Sequence, residues 1–257
     1  MELKNKILKI KDKLLNAVFP DNFKCIFCEK EIFDNNYYGT CEECKKHLPF
    51  IKEKICLKCG DELVDMGNFC LRCKSKLSKS YNRAFAPFKF EGKIVSVIHD
   101  LKYHNKRYLG KYLSRYMYDY FLNQNINIDI VLPIPLNSKR LKERGYNQAE
   151  LLCDCFKENG YEIDTKNLVR SKYTQTQTNL TMKERKENLS NAFMAINKDY
   201  YKDKNILLID DVFTTGATME EAAKVLKRCK AKTVYCLTLA HVQIKQQNEC
   251  KNMEESA

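Results

Sequence analysis

The chain lacks any long apolar segment. No apolar run of about eighteen residues occurs in its 257 residues, so we expect no transmembrane helix. The first twenty residues also lack the uninterrupted apolar core of a secretory signal peptide, because lysines recur throughout them. The first absence excludes a membrane-spanning protein, and the second predicts a cytoplasmic location.

Two common phosphate-binding fingerprints are also missing. The sequence contains no Gly-x-x-x-x-Gly-Lys-Ser/Thr, and no Gly-x-Gly-x-x-Gly follows a strand. These absences exclude the P-loop nucleotide hydrolases and the dinucleotide-binding fold. Any phosphate site in this chain must therefore be built differently.

Negative charge is in short supply, with 33 Asp and Glu against 45 Lys and Arg, for a net charge of +12. Residues 1–80 carry 16 basic and 12 acidic residues, and residues 81–257 carry 29 and 21. Two zinc tetrathiolates in the first part would make that part roughly neutral. The remaining positive charge suits a polyanionic substrate or nucleic acid, although a general compositional bias toward lysine would also produce it.

Cysteine, by contrast, is abundant and regularly spaced. Eight of the 13 cysteines form four Cys-x-x-Cys pairs, and two such pairs complete a tetrahedral zinc site. We predict two structural zinc sites with no coordination position open to water. The predicted ligands are Cys25, Cys28, Cys41, Cys44, Cys56, Cys59, Cys70 and Cys73.

Disulfides are the competing interpretation of these pairs. The regular doublets and the expected cytoplasmic location argue against them, and nothing nearby resembles a thioredoxin-like redox unit. Spacing does not decide which pairs share an ion. Sequential pairing leaves the shortest loops, and an interleaved arrangement stays open.

The stretch from Ile206 to Thr218 predicts a ligand site. Four apolar residues are followed by Asp210 and Asp211, as in a strand of a parallel sheet that is covered on both faces. A hydroxyl-rich turn with Gly216 then precedes an amphipathic helix, whose N-terminus favours anions. The alternative is a strand with solvated acids and an ordinary helix cap.

A second apolar strand, residues 128–135, ends in two prolines and leads into a basic segment. Lys139, Arg140 and Arg144 follow it, where parallel sheets bind their ligands, and guanidinium groups match phosphate geometry. A solvated basic helix start is the alternative, although cations there oppose the helix dipole.

Two further stretches are less specific. Residues 170–188 form a polar segment without apolar periodicity, typical of a lid over a charged substrate or of a disordered loop. His99 and His104 lie near the end of a helix predicted from Ile94, Val97, Ile98 and Leu101. Their spacing of five is poor for shared metal ligation on one helix, which favours a solvated helix end.

Taken in order, these motifs resemble the ComF family, which joins a double zinc ribbon to a type I phosphoribosyltransferase domain. The second part also resembles the transferase half of amidophosphoribosyltransferases, but no glutaminase half is present. The matching landmarks are the four Cys-x-x-Cys pairs, Ala84–Phe88, Leu101–His104, Val131–Leu136, Arg144–Gln148, Gln175–Thr178 and the segment Ile206–Thr218.

The resemblance implies an α/β fold with a parallel, Rossmann-like sheet flanked by helices, and a small N-terminal zinc-ribbon domain. It also implies a site for 5-phosphoribosyl 1-pyrophosphate (PRPP) with Mg²⁺, in which residues 171–186 form a flexible lid. By position, Asp210 and Asp211 would bind the ribose hydroxyls. The implied 5′-phosphate loop is Thr214, Thr215, Gly216, Ala217 and Thr218, and the implied pyrophosphate ligands are Lys139, Arg140 and Arg144.

Two functions follow from the resemblance. The first is Mg-dependent displacement of pyrophosphate from PRPP by an unidentified acceptor, linked to DNA uptake in natural transformation. The second is a non-catalytic accessory role, in which ribbons and basic residues bind single-stranded DNA or a competence helicase-type protein. A third interpretation, a phospho-acceptor domain with a magnesium site, is disfavoured by the Thr-Thr-Gly-Ala-Thr turn.

We expect four segments along the chain, and the oligomeric state stays open. The N-terminal amphipathic helix would pack against the protein or touch an anionic surface. The predicted boundaries are residues 1–20 for that helix, 21–80 for the double zinc ribbon, 81–245 for the phosphoribosyltransferase domain and 246–257 for a frayed tail.

Overall fold

The computed structural model describes residues 24–32, 36–51, 54–63, 67–75, 79–170 and 192–243. It divides into two compact units, Met1–His47 and Leu48–Ala257. The division falls between the second and third Cys-x-x-Cys pairs. None of the helices in the described ranges is both long enough and apolar enough to cross a bilayer.

The first unit is held by turns around its cysteines. Lys24 and Glu31 form an antiparallel bridge that brackets the first Cys-x-x-Cys turn. A short helix, α1 (Glu42–Lys46), carries the second pair, and its N-cap Cys41 accepts a hydrogen bond from the backbone N–H of Cys44 through sulfur. So little apolar surface is buried here that the turns need a metal for stability.

The second unit alternates strands and helices, as expected for an α/β domain. Its helices are α2 (Leu71–Ser75), α3 (Gly92–Tyr103), α4 (Leu109–Leu122), α5 (Ser138–Arg144), α6 (Gln148–Leu151), α7 (Asp154–Glu158) and α8 (Ala217–Arg228). Its strands are β1 (Arg83–Phe85), β2 (Phe88–Lys89), β3 (Ile130–Pro133), β4 (Glu162–Ile163), β5 (Leu168–Arg170), β6 (Phe193–Ala195), β7 (Asn205–Phe213) and β8 (Thr233–His241).

Within the described residues, six strands form one parallel sheet in the order β1-β8-β7-β3-β4, with β2 also pairing with β8. β7 and β8 are its central pair, and their apolar side chains are almost fully buried. Such continuous apolar runs are stable only when helices cover both faces of the sheet. The predicted fold class, a parallel sheet flanked by helices, is confirmed. β5 and β6 form a separate antiparallel pair.

The register of β3 and β7 determines where ligands can bind. Pro133, the last residue of β3, pairs with Ile209 of β7. The carboxyl ends of these two parallel strands therefore lie at the same end of the sheet. The acid pair follows Ile209 directly, and the basic helix α5 begins five residues after Pro133. Two motifs about seventy residues apart are thereby brought to one edge, as is usual for ligand sites of parallel sheets.

Candidate functional site

A cavity of about 850 Å³ opens at this edge of the sheet. It is lined by the loop between β7 and α8, by helix α5, by the end of α3 and by the end of β5. Most of the site residues expected from sequence lie on its wall, whereas Lys139 and Thr215 are not among its lining residues. The expected residues that line it are Arg140, Arg144, Asp210, Asp211, Thr214, Gly216, Ala217 and Thr218.

The turn between β7 and α8 depends on one glycine. Gly216 is the N-cap of α8 and has a φ of 75°, which favours glycine. A Cβ at this position would lie 2.4 Å from the Phe213 ring, so no side chain fits without movement. The backbone N–H of Ala217 donates to Thr215 Oγ1 at 3.4 Å. The result is a compact turn in which Gly216, Ala217 and Thr218 line the cavity at the start of a twelve-residue helix.

The two acids have different surroundings. Asp211 is 4% exposed; its Oδ1 accepts from Gln148 Nε2 at 3.2 Å, and its Oδ2 forms an ion pair with Lys102. Asp210 is partly exposed, and its Oδ1 accepts from the backbone N–H of Asp211 at 2.9 Å.

These surroundings separate the pKa values of the two carboxyls. Burial, followed by the charge of Asp211, raises the pKa of Asp210 well above the ordinary range. Burial would also raise the pKa of Asp211, but the ammonium group of Lys102 and donors from Asp210 and Gln148 outweigh it and lower that pKa. The surroundings therefore favour the ionised form at Asp211 and the protonated form at Asp210.

Arginines supply the opposite charge in the cavity. Arg144 stacks over the Tyr103 ring at 5.3 Å and donates to the side chain of Gln148. Arg170, at the end of β5, lies over the Phe193 ring at 5.4 Å. Burial, and then the charge of Arg140, lower the pKa of Arg170 to about 10. Gathering like charges in a cavity costs free energy that an anionic ligand would offset.

Sequence reasoning did not identify Arg170, Lys102 or Gln148 as site residues. Gln148 and Lys102 do lie inside two of the family landmarks, so those landmarks were the signal that could have pointed to them. Arg170 ends a short strand with no motif around it. Only the packing of β5 beside the cavity places its guanidinium group where the charge of Arg140 acts on it.

The exposed end of α3 also differs from expectation. The rings of His99 and His104 lie 5.0 Å apart, and His104 contacts Asp100 at 2.7 Å. Helical spacing predicts separation, but His104 is the C-cap and has already left helical geometry. Lys106 also pairs with Asp100 at 2.9 Å, so one ammonium group already balances that carboxylate.

The eight paired cysteines form two separate clusters, and in each one the sulfurs lie within 4.8 Å of one another. The Cys28–Cys41 and Cys59–Cys70 sulfurs are 3.7 Å apart. Four thiolates about 2.3 Å from one zinc ion would be roughly 3.8 Å apart, so the geometry fits zinc and not disulfides. The pairing is sequential: Cys25, Cys28, Cys41 and Cys44 form one cluster, and Cys56, Cys59, Cys70 and Cys73 form the other.

The second cluster belongs to the core of the transferase-like unit. Its four cysteines share one apolar cluster with Tyr81 and Phe213. The carbonyl of Cys59 accepts from Nε2 of buried His241 at 2.8 Å, and that imidazole stacks on Phe213 with centroids 4.7 Å apart. Since Phe213 also lies beneath Gly216, a short chain of contacts joins the second zinc site to the turn at the cavity.

Three expected segments lie outside the described residues. They are the N-terminal helix at residues 1–20, the lid at residues 171–186 and the tail at residues 246–257. Their roles remain predictions.

Comparisons with known proteins agree with this architecture. The family described as double zinc ribbon domain matches residues 14–74, and the family described as phosphoribosyl transferase domain matches residues 102–256. The two clusters are thus the four-cysteine zinc sites of a double zinc ribbon.

Several curated relatives match much of the chain. It is 30% identical to competence protein F of Haemophilus influenzae over 226 residues, covering 85% of this chain and 97% of the relative. It is 29% identical to the DNA utilization protein YhgH of Escherichia coli (strain K12) over 209 residues, covering 78% and 90%. A shorter match, 35% over 113 residues and 43% of each chain, is to competence protein ComFC of Bacillus subtilis (strain 168).

The solved structures that match the chain are more distant. One is an allosteric regulatory enzyme of purine biosynthesis, with 16% identity and a TM-score of 0.31, covering 51% of this chain and 24% of that one. Another is a hypoxanthine phosphoribosyltransferase from Staphylococcus aureus, with 14% identity and a TM-score of 0.31, covering 52% and 67%. With its two four-cysteine ribbons, its parallel sheet and relatives that match nearly end to end, the chain belongs to the ComF family.

Proposed function

We propose that the protein binds PRPP together with Mg²⁺ and acts as a phosphoribosyltransferase-like protein in the handling of DNA. One observation carries the proposal. The acid pair, the turn after β7 and four arginines share one cavity, although they come from distant parts of the sequence. PRPP has the matching chemistry, because it carries a phosphate, two ribose hydroxyls and a pyrophosphate.

The turn after β7 suits the 5′-phosphate. Residues 214–218 offer threonine hydroxyls and the leading N–H groups of α8, and phosphate is favoured by such donors and by the helix dipole. On this proposal Asp210 and Asp211 accept hydrogen bonds from the ribose hydroxyls. Lys102 and Gln148 would hold Asp211 in place for that contact.

The basic side suits the pyrophosphate. Arg140 and Arg144 line the same cavity, and Lys139 precedes them on the same short helix. The residues also fit Mg²⁺, which prefers oxygen ligands and commonly takes one or two carboxylates plus substrate phosphates. Asp210 supplies such a carboxylate at the cavity surface. When bound, the ion would neutralise charge on the leaving pyrophosphate.

The reaction proposed for this site is a displacement at C1 of the ribose. An acceptor nucleophile forms a bond to C1, and the bond from C1 to the pyrophosphate oxygen breaks. The protein contributes position and electrostatics: the turn and the acids hold the ribose 5-phosphate, and the arginines stabilise charge on the departing group. The acceptor itself is not identified by the residues of the cavity.

Calorimetric titration with PRPP and Mg²⁺ tests the ligand assignment. The wild-type protein should bind, and Asp210→Asn combined with Asp211→Asn should abolish measurable binding. Glu221→Gln is the matched control, because Glu221 pairs with Lys224 on α8 and does not line the cavity. Absence of heat with the wild-type protein, or equal heat with the double variant, would refute the assignment.

The second candidate is a non-catalytic accessory role in which the protein binds single-stranded DNA or a helicase-type partner. It is favoured by relatives named as competence and DNA utilization proteins and by the net charge of +12. Affinity for an oligonucleotide should then fall steeply with salt, because bound phosphates release counterions. Undetectable binding at low salt would remove this candidate.

The cytoplasmic location also stays a prediction, which cell fractionation would check.

A further inference from the structure

Lys102 reaches the acid pair from a different part of the chain. It lies in the last turn of α3, one residue before the helix ends at Tyr103, and its side chain is 23% exposed. Long cationic side chains normally keep the ammonium group in bulk water. Here the ammonium group instead meets Asp211 at the wall of the cavity. This position removes most of the lysine side chain from water, which costs free energy. An interaction within the cavity must therefore offset that cost.

The partner of Lys102 is already well supplied with donors. Asp211 Oδ1 accepts from Gln148, and Asp211 Oδ2 meets Lys102. The carboxylate is almost completely buried, unlike that of Asp210. A ligand in the cavity can therefore reach Asp210 directly, but it approaches Asp211 beside the ammonium group of Lys102.

The ammonium group has donors to spare. It carries three N–H bonds, and Asp211 accounts for one of them. In the described part of the chain, no further hydrogen bond is recorded for this group, although the charge of Asp210 also acts on it. Because Lys102 lines the cavity, its remaining N–H groups can be satisfied by a ligand there.

We propose that Lys102 is a ligand-binding residue of this site, which holds Asp211 through one N–H and donates another to an oxygen of the bound sugar phosphate. This inference deepens the proposed function and rests on it. The acceptor oxygen belongs to the ribose or to the pyrophosphate, since both classes of oxygen accept from an ammonium group. Lys102 thus provides a cation from α3, separate from the arginines of α5 and β5.

The test is calorimetric titration of PRPP and Mg²⁺ into three variants. Lys102→Gln keeps a polar side chain and loses the charge, and it should weaken binding by roughly 10- to 100-fold, the loss expected for one charge-assisted hydrogen bond. Lys102→Arg keeps the charge and the donors, and should retain affinity within about threefold. Lys106→Gln is the matched control, because Lys106 also pairs with an aspartate, Asp100, a few residues away; it should bind like wild type.

A structural role alone predicts a different pattern. If Lys102 only balances Asp211, Lys102→Gln should unfold at lower temperature but bind PRPP with unchanged affinity wherever it is folded, and this result would overturn the inference. If the wild-type protein binds PRPP and Lys102→Gln binds equally well, the role of Lys102 is refuted and the PRPP assignment stands. No binding by the wild-type protein refutes the PRPP assignment and this inference with it.

A crystal structure of the wild-type protein with PRPP and Mg²⁺ keeps the test valid even if Lys102→Gln does not fold. We expect Lys102 Nζ within about 3.5 Å of a ligand oxygen. A complex in which that nitrogen contacts Asp211 and no ligand oxygen would overturn the inference.

Discussion

At the scale of single residues, the acid pair shows how two neighbouring aspartates come to play different parts. Asp211 is buried, with the ammonium group of Lys102 and the amide of Gln148 as partners. Asp210 lines the cavity, and among the described residues it forms no ion pair. Their pKa values move in opposite directions as a result. The site therefore combines a fixed anion with a carboxyl whose charge depends on what enters the cavity.

Replacing the two acids singly should change stability with opposite signs. Asp211→Asn leaves the buried ammonium group of Lys102 without its counter-charge and should cost about 1–3 kcal/mol. Asp210→Asn should raise the melting temperature at neutral pH, because an acid with a raised pKa destabilises the fold when it ionises.

The sign follows from proton linkage. The folded protein holds the Asp210 proton more tightly than the unfolded chain does, so stability falls as pH rises above the ordinary aspartate pKa. The gain from Asp210→Asn should then disappear at about pH 3, where both states are protonated. Thermal unfolding at several pH values measures both effects; equal shifts of one sign for the two variants would contradict the assignment.

Ligand binding should depend on the same proton. Because burial and Asp211 raise the pKa of Asp210, a ligand or Mg²⁺ that favours its carboxylate form must displace the proton. PRPP affinity should therefore increase with pH through that raised pKa. Calorimetry in two buffers of different ionisation enthalpy should detect the released proton. Asp210→Asn should bind more weakly and release no proton, and proton release that persists in this variant would assign it elsewhere.

Gly216 illustrates a backbone requirement at the cavity. Gly216→Ala should destabilise the protein and weaken PRPP binding, because the new Cβ meets the Phe213 ring in addition to the strained φ. Gly160→Ala is the matched control, since Gly160 has a φ of 84° and nothing within 4 Å of its added Cβ. It should cost only the conformational strain, about 1 kcal/mol. Equal losses in unfolding experiments would show that the Phe213 contact is unimportant.

At the scale of secondary structure elements, helix α8 connects the turn at the cavity to the second ribbon. Its first-turn residue Glu220 accepts from both the backbone N–H and the hydroxyl of Ser80, at 2.9–3.1 Å, shortly after the last cysteine pair. An acid in the first turn also suits the helix dipole. The N-terminus of α8 is therefore held by the Ser80 contacts as well as by its connection to β7.

Glu220→Ala should remove both acceptors and lower stability by about 1–3 kcal/mol. Because the same turn faces the cavity, PRPP affinity should fall as well. Glu221→Ala provides the control: its i,i+3 pair with Lys224 lies within α8, and such intrahelical pairs contribute about 0.2–0.5 kcal/mol. Chemical denaturation and calorimetry on both variants measure these differences. Indistinguishable variants would mean that the Ser80 contacts do not position the helix.

At the scale of the whole molecule, the two zinc sites differ in what they support. The first lies in a compact unit of its own, Met1–His47. The second shares the apolar core of the unit that holds the parallel sheet, and reaches the cavity through Cys59, His241 and Phe213. Similar ligand sets therefore stabilise different amounts of structure.

Loss of one zinc ligand in each cluster should separate these roles. Cys73→Ser should reduce zinc content by about one ion per chain, lower the melting temperature of the sheet-containing unit and weaken PRPP binding, because ligand loss disturbs a shared core. Cys44→Ser should also lose about one zinc ion but leave PRPP affinity unchanged. Elemental analysis, thermal unfolding and calorimetry provide the readouts; equal loss of affinity in both variants would contradict this division.

Much of the fold was predictable because its signals are local. The apolar run before Asp210, the turn residues around Gly216 and the amphipathic pattern of α8 each specify their own element. The Cys-x-x-Cys spacing likewise predicts tetrathiolate sites, since a short turn places two sulfurs on one ion. These features depend on neighbours within a few residues, which a single sequence records.

Contacts between distant segments were decided by the tertiary structure. Lys102 pairs with Asp211, and the charge of Arg140 acts on Arg170, because helices and strands converge at one end of the sheet. No local pattern encodes that convergence. The sequential sharing of zinc sites and the burial of the second ribbon in the sheet core are of the same kind. The sequence by itself determined the elements and the chemistry they carry, and the packing of the chain decided which charges face one another.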